Sequence, residues 1–523
     1  MNPKIQPKHI LPNSNFTCFI IPSLFTKLEC EKLLSEENKN SFQKANFNYP
    51  TYYRNNERFV VDNDDLAAYL FQKVKPYLPK TIEINSAIQS ENGVWQLKEL
   101  NNRLRFCKYS ANQYFHRHLD GIHYVSETIQ SKLTFMVYLN SATEFKGGRT
   151  LFFKTKETDE IWASYTPQQG DLIVFDHNVW HEGEVLLEGE KFVLRSDILY
   201  SKEITEIKKE PFAGHLGYIW SLLKFDDSTI LSGGRDKKIR VWNTLGEQKQ
   251  LLEGHQNSIL CIEKMNATTF ISGSRDRQII VWKDYKIVNK IKIHEALVLS
   301  LCNLDATIFA SSSGDKTIKI VNLESEVLKT LSEHKDWVWK VIKLDNDMIA
   351  SCSEDKSIKI WNIKNENSLH TFYENEPIIS LAFHPKTRKL VSGNLKGEIS
   401  IRTLTENYQK QDIKIFKAHN GIIRTIKFIS TDYFATGAED NKLNIWNVDG
   451  TLVSEFEHHN FVQSIELLDN QMGMSCSYDG TIRTWNFFKK TLIQIKTSKK
   501  ANDNNSTTHF TASDLQSVDK VHQ

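Results

Sequence analysis

A short turn phrase recurs about every 40 residues through the second half of this 523-residue chain, and a repeat of that length dictates its architecture. The Asp of the turn stands at Asp236, Asp276, Asp315, Asp355, Asp440 and Asp479, in phrases such as Ser232-Gly233-Gly234-Arg235-Asp236. Each is followed by an apolar strand, ending Val241-Trp242, Val281-Trp282, Ile320-Val321, Ile360-Trp361, Ile445-Trp446 and Thr484-Trp485. A degenerate seventh copy runs Ser392-Gly393-Asn394-Leu395-Lys396, then Ile399-Ser400-Ile401-Arg402. A His precedes most copies: His215, His255, His294, His334, His419 and His459. One supersecondary unit of this size cannot bury its apolar face alone, so the copies must stack on one another.

These residues resemble the WD-repeat family over about residues 205 to 497. The resemblance implies four strands per blade and seven blades in one ring, which leaves only short protected edges. It also implies a buried hydrogen-bond set in each blade, which in the first would be His215, Ser232, Asp236 and Trp242. Two segments compete to complete the last blade, Ile204 to Phe212 and Thr491 to Thr497. Trp220, Trp337 and Trp339 lie off the repeat pattern and are read either as a binding hot spot or as packed blade core. Residues 498–523 are polar, lack the apolar content to bury anything, and are read as a disordered tail.

The first 200 residues follow another pattern. Thr26-Lys27-Leu28-Glu29 reads as a capping box opening a helix toward Leu33 and Leu34. Asp62 to Lys75 carries Leu66, Tyr69, Leu70 and Val74 at helical spacing. From Arg103 strands dominate, with alternating runs over Leu133 to Asn140 and Lys191 to Tyr200. Helices first and strands later predict an α+β domain.

Within it lies Tyr109-Ser-Ala-Asn-Gln-Tyr-Phe-His116-Arg-His118-Leu-Asp120-Gly121. On a strand, residues i and i+2 share a face, so His118 and Asp120 can hold one ion. His181, in Trp180-His181-Glu182-Gly183, would be the third ligand. Two His and one carboxylate on one face leave open positions, the arrangement of non-haem iron(II) oxygenases. His116 would share the face of His118 and Asp120 and is the rival ligand; His123 reads as a pocket or loop residue. Lys191 and Arg195 fall on one face of one strand, and a cation inside a barrel is costly unless paired.

The span from about residue 15 to 201 resembles the prolyl-hydroxylase-like branch of the 2-oxoglutarate oxygenases. The matching phrases are Tyr109…His118-Leu-Asp120, Leu133 to Asn140, Gly147-Gly148-Arg149-Thr150, Pro167-Gln-Gln-Gly170-Asp171, His181-Glu-Gly183 and Lys191-Phe-Val-Leu-Arg195-Ser-Asp. The resemblance implies a double-stranded β-helix (jelly roll) core. It implies His118, Asp120 and His181 as catalytic iron ligands, and Fe(II), 2-oxoglutarate and O₂ as cofactors with ascorbate as reductant. Lys191 matches the residue that takes the distal carboxylate of 2-oxoglutarate, Tyr138 a tyrosine bonded to the same carboxylate, and Tyr109 a wall of that pocket. Arg195 is a second cation where many members are neutral, expected either to share the carboxylate or to pair with Asp197. The family's acidic turn residue is Arg149 here, a change expected at the pocket rim. Tyr53 to Arg58, polar with aromatics, reads as a solvated loop with a rim position as the alternative.

The expected fold is therefore mainly β in two domains: a jelly-roll oxygenase over 1–203, a seven-bladed β-propeller over 204–497, and the tail. The expected activity is a dioxygenase that hydroxylates a peptidyl substrate, with a prolyl residue as the candidate target and the propeller binding a protein or peptide. A non-catalytic scaffold and a small-molecule hydroxylase are the alternatives. With 66 basic against 64 acidic residues, neither nucleic acid nor an anionic membrane is expected as partner. Seven dispersed cysteines without a CxxC pair, no apolar signal core and no run of roughly 18 apolar residues point to a cytoplasmic protein.

Overall fold

In the computed structural model the chain divides into two compact units, Met1–Ile207 and Lys208–Gln523. The residues described are 6–11, 13–34, 41–45, 50, 53–85, 92–126, 128–156, 158–202, 214–365, 367–489 and 491–492.

Among the described residues the first unit has two main sheets and a two-stranded one, Phe145–Gly147 with Leu186–Gly189. The larger has ten strands, and its centre is Leu172–Asp176, Ile129–Tyr138, Lys191–Ser201 and Arg103–Tyr109, in that order. The smaller has four: Ala163–Tyr165, Thr150–Phe153, Trp180–Gly183 and Phe115–His118. Met136, Tyr138, Ile173, Phe175 and Val193 of the larger sheet pack on Phe115 and Phe152 of the smaller. On the opposite face, Phe135, Val137, Leu194 and Ile198 pack on the helix Asp64–Val74. Burial on both faces is why Leu133 to Tyr138 is apolar almost throughout instead of alternating with polar residues.

Both expected helices form. Thr26 and Glu29 make the capping box of Lys27–Leu33. Asn63 caps Asp64–Val74, whose buried face is Ala67, Leu70, Phe71 and Val74. Tyr69, expected on that face, points outward and donates to Glu29.

Among the described residues the second unit contains seven four-stranded antiparallel sheets, from Ile219–Lys224 in the first to Thr491–Leu492 in the last. The leading strand of each sheet lies against that of the next, and the seventh, Val462–Leu467, lies against the first, Ile219–Lys224. There Leu222 N–H donates to Ser464 Oγ (3.4 Å) and Lys224 Nζ to the Leu468 carbonyl (3.0 Å). Of the two segments competing to complete the last sheet, Thr491–Leu492 pairs with Trp485–Asn486. Residues 203–213, which include the competitor, and the tail from 493 onward lie outside the described residues.

The hydrogen-bond set expected in the first sheet forms. His215 Nδ1 is 2.9 Å from Asp236, its Nε2 is 2.7 Å from Ser232 Oγ, and Trp242 Nε1 donates to the same Oγ at 2.7 Å. It recurs in the second, fourth, sixth and seventh sheets, with Thr436 for Ser in the sixth. In the seventh the imidazole belongs to His458, not the expected His459; His459 offers only its backbone N–H to Asp479. A His-to-Asp interval of 21 runs through the regular copies and picks out His458. The third sheet lacks the Trp, with Val321 in its place. After each regular Asp the chain turns with positive φ, at Lys237, Arg277, Lys316, Lys356, Asn441 and Gly480. The Asp carboxylate stabilises that turn by accepting the N–H two residues on.

Ser351→Ala is a direct check on this set. It removes the oxygen shared by His334 Nε2 and Trp361 Nε1. Each buried polar group left unpaired costs about 1–3 kcal/mol, so urea unfolding is expected to lose at least about 1 kcal/mol.

Trp337 is packed core against Ala296 and Leu297. Trp339 is half-buried, with Nε1 donating to Glu354 at 2.9 Å. Trp220 is half-buried, edge-on to Tyr478, which stacks on Tyr218 at 4.0 Å. All seven cysteines are buried free thiols. Among the described residues no helix is long and apolar enough to cross a membrane.

Candidate metal centre

His118 ends the strand Phe115–His118, and His181 lies opposite it on Trp180–Gly183. Asp120 follows just after, its backbone N–H donating to the His177 carbonyl at 3.2 Å. One ligand atom from each of His118, Asp120 and His181 falls within 4.8 Å of the others. His118 Nε2 is 3.5 Å from Asp120 Oδ1, and His181 Nε2 is 3.6 Å from Asp120 Oδ2. The pairing has an irregularity between His181 and Gly183, so Phe115 and His118, three apart, both point inward. That displacement turns His116 out to solvent, against the expectation that it shares the ligands' face. His116 contributes its carbonyl, 2.6 Å from His118 Nδ1.

The donor chemistry suits a divalent metal. Each Nδ1 faces a carbonyl, His116 for His118 and Val179 (3.0 Å) for His181, so the lone pair sits on Nε2. Both Nε2 atoms are buried without a hydrogen-bond partner. Burial lowers both imidazoles, His181 to about 3 with the neighbouring His118 adding to the effect, so both stay neutral. Burial would raise Asp120, but the Arg195 guanidinium beside it holds it well below the usual carboxylate range. Two neutral nitrogens and one carboxylate, with no fourth His, Cys, Asp or Glu grouped with them among the described residues, fit an oxygenase iron better than a closed structural site.

Lys191, Tyr109 and Tyr138 line the same interior. The Lys191 side chain is buried, with Nζ donating to the Gly148 carbonyl (2.6 Å) and lying 4.9 Å from the centre of the Tyr109 ring. Burial pushes its ammonium down to about 8, against Cys107 and Glu184. Gly148 has φ +69°, and a Cβ there would sit 2.6 Å from Leu186 Cδ1, so the turn under Lys191 requires glycine. Tyr138 Oη is 2.7 Å from Thr150 Oγ1. Arg149 pairs with Glu184 through Nε (3.0 Å) and Nη2 (2.7 Å).

Two expectations need correction. Arg195 does not pair with Asp197; its Nη2 is 2.7 Å from both oxygens of Asp120, and Asp197 pairs with Arg105 at 2.7 Å. Tyr53 to Arg58 is not a solvated loop. Arg54 and Asn56 are buried, the Arg54 guanidinium lies 4.1 Å over the Phe115 ring, and Tyr53 meets His118 edge-on at 5.7 Å. Phe115 itself stacks on His118 at 3.7 Å. His123 is half-buried; its N–H donates to Ser131 Oγ and its carbonyl accepts the Ser131 N–H. His177, which no motif singled out, is buried with Nε2 4.0 Å from Asp197.

Comparison with known proteins finds a family match within each unit. Residues 104–196 match the family model of the 2OG-Fe(II) oxygenase superfamily, and the chain carries such a domain. Residues 206–243, 246–283, 325–362, 410–447 and 450–486 match the WD domain, G-beta repeat.

Among curated relatives, the ribosome biogenesis protein YTM1 of Vanderwaltozyma polyspora is 26% identical over 153 residues, covering 26% of this chain and 33% of the relative. Periodic tryptophan protein 2 of Arabidopsis thaliana is 48% identical over 56 residues, 10% of this chain and 6% of that protein. DmX-like protein 1 of Mus musculus is 28% identical over 116 residues, 20% of this chain and 4% of that protein. The chain thus spans a third or less of the length of these relatives.

Proposed function

We propose that this chain is an iron(II)- and 2-oxoglutarate-dependent dioxygenase that hydroxylates a peptidyl substrate, a prolyl residue foremost. We read the two packed sheets as a jelly roll over residues 1–203, and the seven sheets as a propeller over 204–497 that binds the protein carrying the target. The observation that carries the catalytic reading is the meeting of two neutral, buried, unpartnered imidazole nitrogens with one ionised carboxylate.

His118, Asp120 and His181 would hold the metal. Lys191 would hold the distal carboxylate of the co-substrate, with Tyr109 and Tyr138 walling its pocket and Arg195 adding positive charge. When bound, iron(II), 2-oxoglutarate and O₂ together supply the oxidising power, with succinate and CO₂ as co-products and ascorbate as reductant. Phe115, Phe152 and Phe175 surround the imidazoles and limit water at the reacting centre. A propeller that captures its partner would raise the concentration of the target segment near the site.

The test uses the full chain under anaerobic conditions with iron(II) and 2-oxoglutarate. A weak visible charge-transfer band is expected. His118→Ala should abolish it, a larger effect than the roughly 10–100-fold loss of metal affinity that follows removal of an outer partner. Folded wild-type protein without a band would leave the chain as a scaffold.

A further inference from the structure

Asp120 is held by more than its place in the chain. Arg195 Nη2 lies 2.7 Å from each of its oxygens, and Thr134 Oγ1 donates to Oδ2. Arg195 is itself confined, with its side chain 12% exposed and its guanidinium 5.7 Å from the centre of the Phe115 ring. The aspartate torsion next to the carboxylate is broad and soft, so an unheld carboxylate would rotate. A single guanidinium nitrogen bridging both oxygens sets that rotation. The lone pairs facing His118 Nε2 and His181 Nε2 remain in place for the metal.

We propose that Arg195 is a positioning residue for the metal centre: it orients the Asp120 carboxylate and places a permanent positive charge behind it. This rests on the dioxygenase reading above. The guanidinium stays ionised at any working pH, so its effect on the metal does not titrate. Orientation governs how the carboxylate ligates. The added charge disfavours the trivalent metal relative to the divalent one, because a cation opposes a further positive charge nearby. The two roles separate by substitution: Arg195→Lys keeps the charge but replaces the rigid planar guanidinium with an ammonium on a flexible stem, and Arg195→Met loses both charge and donor.

The experiment uses the full chain without 2-oxoglutarate. Co(II) is titrated anaerobically and its visible d–d spectrum recorded; the midpoint potential of the iron form is then measured. Arg195→Lys should change the Co(II) spectrum and weaken Co(II) binding by about 10-fold, with the iron potential near wild type. Arg195→Met should make both changes and also lower the potential. Arg195→Lys leaves Asp120 with a cationic neighbour and keeps the test usable if Arg195→Met fails to fold. Wild-type spectra and potentials in both variants, with only 2-oxoglutarate affinity reduced in a separate titration of the metal-loaded variants, would overturn the proposal and make Arg195 a co-substrate anchor. A wild-type protein that binds no Co(II) would overturn the dioxygenase reading itself.

Discussion

Arg402→Ala is expected to destabilise the second unit by about 3–5 kcal/mol, the cost of leaving one member of a buried ion pair uncompensated. The fifth sheet has neither the His nor the Trp of its neighbours. Arg402 lies opposite Leu390, as Trp242 lies opposite Ile230 in the first sheet. Its Nη1 donates to Ser392 Oγ (3.0 Å) and its Nη2 to Glu374 Oε1 (2.7 Å), and Ser392 Oγ also donates to Glu374 Oε1 (2.8 Å). A carboxylate and a guanidinium thus replace the imidazole and indole around the same serine. The side chains are 2% and 7% exposed, so solvent cannot screen what remains when one is removed. Urea unfolding monitored by tryptophan fluorescence measures the loss. The double variant Arg402→Met with Glu374→Leu should recover most of it, because apolar residues of similar volume often replace a buried pair at no net cost. A single-variant loss below about 1 kcal/mol would mean that the pair is effectively solvated.

The second large effect concerns Lys191. Lys191→Ala should weaken 2-oxoglutarate binding to the metal-loaded protein by about 100-fold, within the 2–5 kcal/mol that follows truncation of one partner of a buried charge pair. The same group predicts a pH dependence. Burial holds the free ammonium at about 8, so it is charged below that pH and neutral above it. The carboxylate needs the charged form, and its binding raises the ammonium's pKa. Affinity should therefore be level below pH 8 and fall by up to about tenfold per pH unit above it, one pKa unit being worth about 1.4 kcal/mol. Lys191→Arg keeps its charge and should flatten the profile. Titrating the charge-transfer band from pH 7 to 10 measures this, and a flat wild-type profile would remove Lys191 as the anchor.

The repeat was legible because each copy confirms the others. Turn, strand and His recur at fixed intervals, and the WD-repeat resemblance they carry implies the set that forms at His215, Ser232, Asp236 and Trp242. Where a copy departs, the signal weakens. His458 and His459 are adjacent, and only the interval of 21 to Asp479 separates the ring that bonds from its neighbour. Glu374 lies outside the turn phrase, so nothing local marks it as the partner of Arg402.

The candidate centre divides in the same way. The residue types of the His-x-Asp pair, the distant His181 and the spaced cations are properties of the chain, and by themselves they specify a metal-ligating chemistry. Which of His116 and His118 joins Asp120 and His181 was decided by pairing with Trp180–Gly183, since strand alternation alone puts both on one face and the register irregularity turns one away. The partner of Arg195 was likewise a tertiary outcome: Asp197 is near in sequence, but Arg105 from the neighbouring strand takes it, and Arg195 turns to Asp120. Sequence by itself determined the repeat, the donor set and the cations, because these depend on residue type and periodicity. The tertiary structure decided orientation and pairing, because those depend on which charges strands distant in sequence bring within reach.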